Sequence, residues 1–200
     1  PEEQTLDLKR QLITVPSCHE HNGQKSTDDE YLLCLLAISL LSGKNGQQQG
    51  VTKVKRILER KPALKAKITE KMTPLLVQDI HTGQVNETFA LEIERNRIES
   101  SLESCARALY FNQFNHKFVG DVLVIPLFLS DLDAKFNQSV EQLHHNTEIL
   151  FSNIQPQGEN PSIFTYKFHV EEGNGNTRLE MTFYEGARAV AIFKSSSTAA

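Results

Sequence analysis

The reactive side chains closest together in the chain are Cys18, His19 and His21. A thiolate and two imidazoles within four residues could bind zinc, with Cys34 or an aspartate from Asp28 or Asp29 completing a tetrahedron. Zinc sites ordinarily join two short ligand clusters across a spacer, and no second Cys/His cluster stands at such a distance. No metal or other cofactor is therefore expected. Cys18 could instead be a nucleophile whose base is brought from elsewhere by the fold, from His116, His144, His145 or His169. A reactive thiolate needs a helix N-terminus or a nearby cation, and Cys18 lies about eight positions ahead of the helix expected to follow.

Other pairings offer less. His144 and His145 are adjacent, so on a helix their side chains diverge by about 100° and share no ligand unaided. Glu92 with Glu94, Asp131 with Asp133 and Glu171 with Glu172 all fall where surface charge is expected, and no acid and base pair can be nominated from them. The chain has no Gly-x-Gly-x-x-Gly, no Gly-x-x-x-x-Gly-Lys-Ser/Thr and no Gly-x-Ser-x-Gly, which disfavours the common dinucleotide, nucleotide and serine-hydrolase designs. Two glycosylation sequons, at Asn86 and Asn137, carry no weight in so Asn-rich a sequence.

Charge is more informative. Lys53, Lys55, Arg56, Arg60, Lys61, Lys65, Lys67 and Lys71 place eight basic residues within nineteen positions. The chain as a whole, with 21 basic against 25 acidic side chains, carries a net charge of −4. That balance excludes the broad basic field that duplex nucleic acid requires. Segregated basic charge instead suits an acidic protein partner or, less well, an anionic membrane surface.

The elements that would position these groups can be read from periodicity. Residues 1–25 read as a polar tail. Ser26 or Thr27 would cap a helix whose body, Tyr31 to Leu41, is apolar on nearly every face and so is expected at the centre of the fold. That run, at 11 residues, is too short to cross a bilayer, which takes about 20. Val51, Val54, Ile57 and Leu58 mark an amphipathic helix ending before Pro62, and Ala63 to Met72 repeats the pattern more weakly. Leu75 to Ile80 fits a helical turn or a strand equally. A long helix is expected from Asn86 to about Asn112, with a break near Asn96 as the alternative, and another from a Ser130 cap to about Asn153. Between them, Val122 to Ile125 reads as a strand ended by Pro126.

After Pro161 the period changes to two. Phe164, Tyr166, Phe168 and Val170 alternate with polar residues, Gly173 to Asn176 is hairpin chemistry, Leu179, Met181 and Phe183 return, and Gly186 turns the chain into Ala187 to Lys194. The expected fold is thus α+β. About five helices would pack on a C-terminal three-stranded antiparallel meander, with one additional strand near Val122, all within a single domain over 26–194 followed by a loose 195–200 end.

Cys18, Cys34 and Cys105 are an odd number, two of them in apolar helical patterns, so a reducing, cytoplasmic setting is expected. The composition would also suit a protein acting inside a host cell, and an opening Pro1 suggests a piece of a longer polypeptide. The expected function is a non-catalytic protein-recognition module that engages an acidic partner through Lys53, Lys55, Arg56, Arg60, Lys61 and Lys65. The competing expectation is a cysteine-dependent hydrolase or transferase using Cys18 with His116 or His169.

Overall fold

A computed structural model describes residues 15, 19–42, 59–60, 62–78, 82–171, 173 and 176–195. Eleven elements follow in order: α1 (His19–Ser42), α2 (Pro62–Glu70), β1 (Met72–Gln78), β2 (Val85–Leu91), α3 (Arg95–Phe114), β3 (Gly120–Pro126), α4 (Ala134–Phe151), β4 (Gln157–Asn160), β5 (Phe164–Val170), β6 (Thr177–Phe183) and β7 (Ala187–Ser195). Among the described residues the fold is α+β, with four helices and two sheets in place of the expected five helices and single meander. One sheet has five antiparallel strands in the order β3-β7-β6-β5-β4; the other is the two-stranded ribbon β1-β2.

Each difference has a local cause. The sheet gains β3 at one edge because Val122 to Ile125 pairs along its whole length with β7, Val124 opposite Ala191. At the other edge, β4 is polar and carries no period-two signal. Its Gly158, at φ +130°, sits where a Cβ would meet the Phe164 carbonyl at 2.5 Å, so only glycine lets this edge close on β5. The helix expected from Asn86 starts only at Arg95. Phe89, Leu91 and Ile93 satisfy a strand's alternation as well as a helix's, and pairing with Met72–Gln78 decides for the strand. Gly83, at φ +70°, and a bond from Gln78 Nε2 to its carbonyl at 3.2 Å turn the ribbon.

Helix starts also shift. α1 begins at His19, inside the segment expected as a tail and ahead of the expected Ser26 or Thr27 cap. α4 is capped by Asp133, whose side chain accepts from the Lys135 amide at 2.9 Å, rather than by Ser130. The helix expected over 51–61 lies outside the described residues apart from Glu59 and Arg60.

Alternation gives the large sheet two unlike faces. One carries Tyr166, Leu179, Met181, Ala189, Ala191 and Phe193, and α1 and α3 close over it with Leu32, Leu35, Leu36, Ile98, Leu102, Ala106 and Leu109. Small alanines on β7 let the helices approach, while Tyr110, Phe118 and Phe193 pack ring against ring at 4.9–5.1 Å. α4 lies across the opposite face, where Phe151 is buried against His169 and Thr147 bonds back to Leu143. The product is three layers, helices on both faces of one sheet. No described helix is long and apolar enough to cross a membrane.

Candidate functional site

Two cavities and one bare surface stand out among the described residues. The larger cavity, about 290 Å³, opens where α1, α2, the foot of the ribbon and the start of α3 meet. Tyr31, Ala63, Ile68 and Leu91 give it an apolar lining, and Thr27, Glu30, Lys71, Glu92, Glu94 and Arg97 supply its polar groups. The wall is braced by long-range bonds. The Glu94 amide donates to the Tyr31 hydroxyl at 2.9 Å, and Arg97 Nε donates to Asp28 Oδ1 at 2.6 Å while its guanidinium lies 4.6 Å from the Tyr31 ring centroid. The Asp28 hydrogen bond, helped by the charge of Glu94, holds the Arg97 proton more firmly than usual, so this arginine is a permanent cation. Lys71 Nζ stands 4.0 Å from Glu92 and 3.9 Å from Glu94.

The smaller cavity, about 220 Å³, lies between α4 and the loop after β3. His144 and His145 both line it, together with Glu141, Glu148, Ser130 and Asn137. Glu148 bridges outward to His144 Nδ1 at 3.7 Å and inward to Arg188 at 2.9 Å. Arg188 and Lys167 in turn reach Glu180 at 3.8 and 3.5 Å, a carboxylate only 4% exposed beneath α4. A carboxylate so placed demands compensation, and two cations from neighbouring strands provide it. This is a structural bridge between sheet and helix.

The ribbon is the bare surface. Among the described residues neither of its strands pairs with another, and Leu76, Val77, Val85 and Phe89 stand 69, 46, 56 and 60% exposed. The Glu92 amide donates to the Lys71 carbonyl at 3.3 Å, which makes that pair hydrogen-bonded and, by alternation, leaves Met72–Leu91 and Pro74–Phe89 non-bonded pairs. Backbone groups of Val85, Glu87, Phe89 and Leu91 therefore point away from β1, along a free edge. Pro74 faces the other edge and offers no N–H there.

The expected sites fare unevenly against this geometry. Cys18 lies outside the described residues, as do Lys53, Lys55, Arg56 and Lys61. His19 and His21 fall in the first turns of α1, and no group of metal ligands assembles among the described residues. Arg60 and Lys65 are exposed on their helical turns. The two alternative bases stand apart: His116 bonds Tyr110 and the Phe114 carbonyl on the α3 side of the sheet, whereas His169 meets Phe151 on the α4 side. Cys34 is fully buried on α1, and burial raises its thiol from 9.0 to about 11, the reverse of an activated nucleophile.

The chain matches no family model, no curated protein and no solved structure. Its own geometry must therefore carry the reading. Sequence reasoning missed the ribbon because its first strand was undecided and its second was absorbed into a helix. The signal was present in Val85, Thr88 and Phe89, β-favouring residues across a glycine turn from Leu75 to Val77.

Proposed function

We propose that the chain is a non-catalytic module that recognises another protein, and that it does so by accepting an extended segment of its partner along the free edge of β2. The single observation that carries this reading is the ribbon: a two-stranded sheet on which Leu76, Val77, Val85 and Phe89 face solvent and whose β2 edge presents an uninterrupted row of backbone groups. An isolated ribbon of this length is marginal in water, and a third strand supplies both hydrogen bonds and cover for Leu76, Val85 and Phe89. Edge strands left flat and apolar invite pairing, and native chains usually blunt them with lysine or a bulge. Here Glu87 is the one charged side chain in β2, and proline blunts only the opposite edge. The basic stretch ending in Arg60 and Lys65, just ahead of the ribbon, would add attraction for an acidic partner.

Selection of extended peptides from a display library, followed by hydrogen exchange on the complexes, tests the reading. Bound peptide should slow exchange at the outward amides of Glu87 and Phe89. Glu87→Pro, which removes an outward N–H without breaking a β1–β2 bond, should abolish binding with circular dichroism unchanged. Peptides that bind Glu87→Pro as tightly as the parent chain would overturn strand addition.

A further inference from the structure

The free edge of β2 is complementary to itself. Val85, Glu87, Phe89 and Leu91 turn their backbone groups away from β1, and these four positions are disposed symmetrically about Thr88. Resting on the strand-addition reading, we propose that the segment accepted there is β2 of a second copy of this chain, paired antiparallel about a two-fold axis through Thr88.

The side chains fix that register. With Thr88 opposite Thr88, Val85 meets the copy's Leu91 and Glu87 meets the copy's Phe89, so every outward residue is matched and each such pair exchanges two backbone bonds. An axis through Glu87 would set carboxylate against carboxylate, and one through Phe89 would leave Val85 beyond the end of the copy's strand. In the Thr88 register no like charges are opposed. Phe89, 60% exposed in the single chain, becomes the diagonal neighbour of the copy's Phe89, a separation that aromatic rings span. Charge favours the same occupant. Outside the basic stretch 53–71 the chain carries 13 basic and 23 acidic side chains, being its 21 and 25 less the eight and two within that stretch, so a copy is itself an acidic partner. The ribbon's packing is almost wholly β1 on β2, and antiparallel pairing sends the two helical bodies to opposite ends of the joined ribbons. Such a contact is isologous and is complete at two copies. It is also small, which places its dissociation constant at about 10–100 μM.

Sedimentation velocity over a concentration series, joined to disulfide trapping, tests the proposal. The chain should pass from monomer to dimer, and Glu87→Pro, which by symmetry removes an outward N–H at two places, should remain monomeric. Thr88→Lys, which sets two cations face to face on the axis, should weaken the dimer about fivefold. Under mild oxidation Thr88→Cys should link two copies, because a non-hydrogen-bonded pair brings its Cα atoms within disulfide reach. Asn86→Cys, which falls opposite the copy's Ala90, should link no more than the parent chain does with its own cysteines. A dimer that survives Glu87→Pro, or one that Asn86→Cys traps as readily as Thr88→Cys, would overturn the proposal. A chain that stays monomeric to about 1 mM while selected peptides still protect β2 removes the second copy and leaves strand addition standing. A monomer whose β2 no peptide protects removes both.

Discussion

The β6–β7 ladder and the β1–β2 ladder each pair seven residues in antiparallel register, yet they live in opposite surroundings. In the first, Leu179, Met181, Ala189, Ala191 and Phe193 are sealed beneath α1 and α3, and Glu180 is roofed by α4 with its cations. In the second, Leu76 and Phe89 face water. Backbone pairing is common to both, so it cannot account for the difference in what the two sheets contribute. Net hydrogen-bond energies are modest, and covered apolar surface supplies the greater part of stability. The five-stranded sheet is covered by helices, whereas the ribbon, among the described residues, leaves both of its edges unpaired.

Three measurements would break or sharpen that contrast. Phe193→Ala, which empties a fully buried ring site between α3 and the sheet, should lower unfolding free energy by about 3–5 kcal/mol in a denaturant titration. A loss below about 1 kcal/mol would mean that the sheet face is not the core. The buried Cys34 gives a smaller, pH-dependent effect. Its folded thiol titrates at about 11 against 9.0 unfolded, so its contribution is intact below pH 9 and is lost as pH rises toward 11. The slope should be roughly 1.4 kcal/mol per pH unit in that window, and it should vanish in Cys34→Val. The smallest change is expected on the ribbon, where Leu76→Ser with Phe89→Ser should move stability by no more than about 0.5 kcal/mol, because neither side chain gives up burial. A larger destabilisation would show that the ribbon already packs on something.

What could be read from the sequence followed the strength of local patterning. Phe164 to Val170 and Leu179 to Phe183 alternate cleanly around a Gly/Asn turn, and the strands stand where the pattern puts them. Of the run Tyr31 to Leu41, expected inside on all faces, Tyr31, Leu32, Cys34, Leu35 and Leu36 are buried, whereas Leu33 and Ile38 are only partly so. Gln157–Asn160 gave no signal because an edge strand held by a glycine contact has no apolar face to show. The ribbon was obscured for another reason: Phe89, Leu91 and Ile93 fit two periods, and only a partner distant in sequence breaks the tie. The cavity was less legible still. Its lining comes from Thr27 to Tyr31, Ala63 to Lys71 and Leu91 to Arg97, three stretches united by tertiary packing, and none of them reads as a site alone. Glu92 and Glu94, expected as surface charge, are exposed and stand at its rim.

Pro74 has a further effect at the level of many molecules. A bare ribbon with two open edges could template end-to-end stacking into a fibre. Pro74 removes one outward donor from the β1 edge and leaves those of Met72, Leu76 and Gln78, so a copy stacked there would form a ladder interrupted near its start. One residue thus makes the β1 edge a poorer template for stacking than the β2 edge.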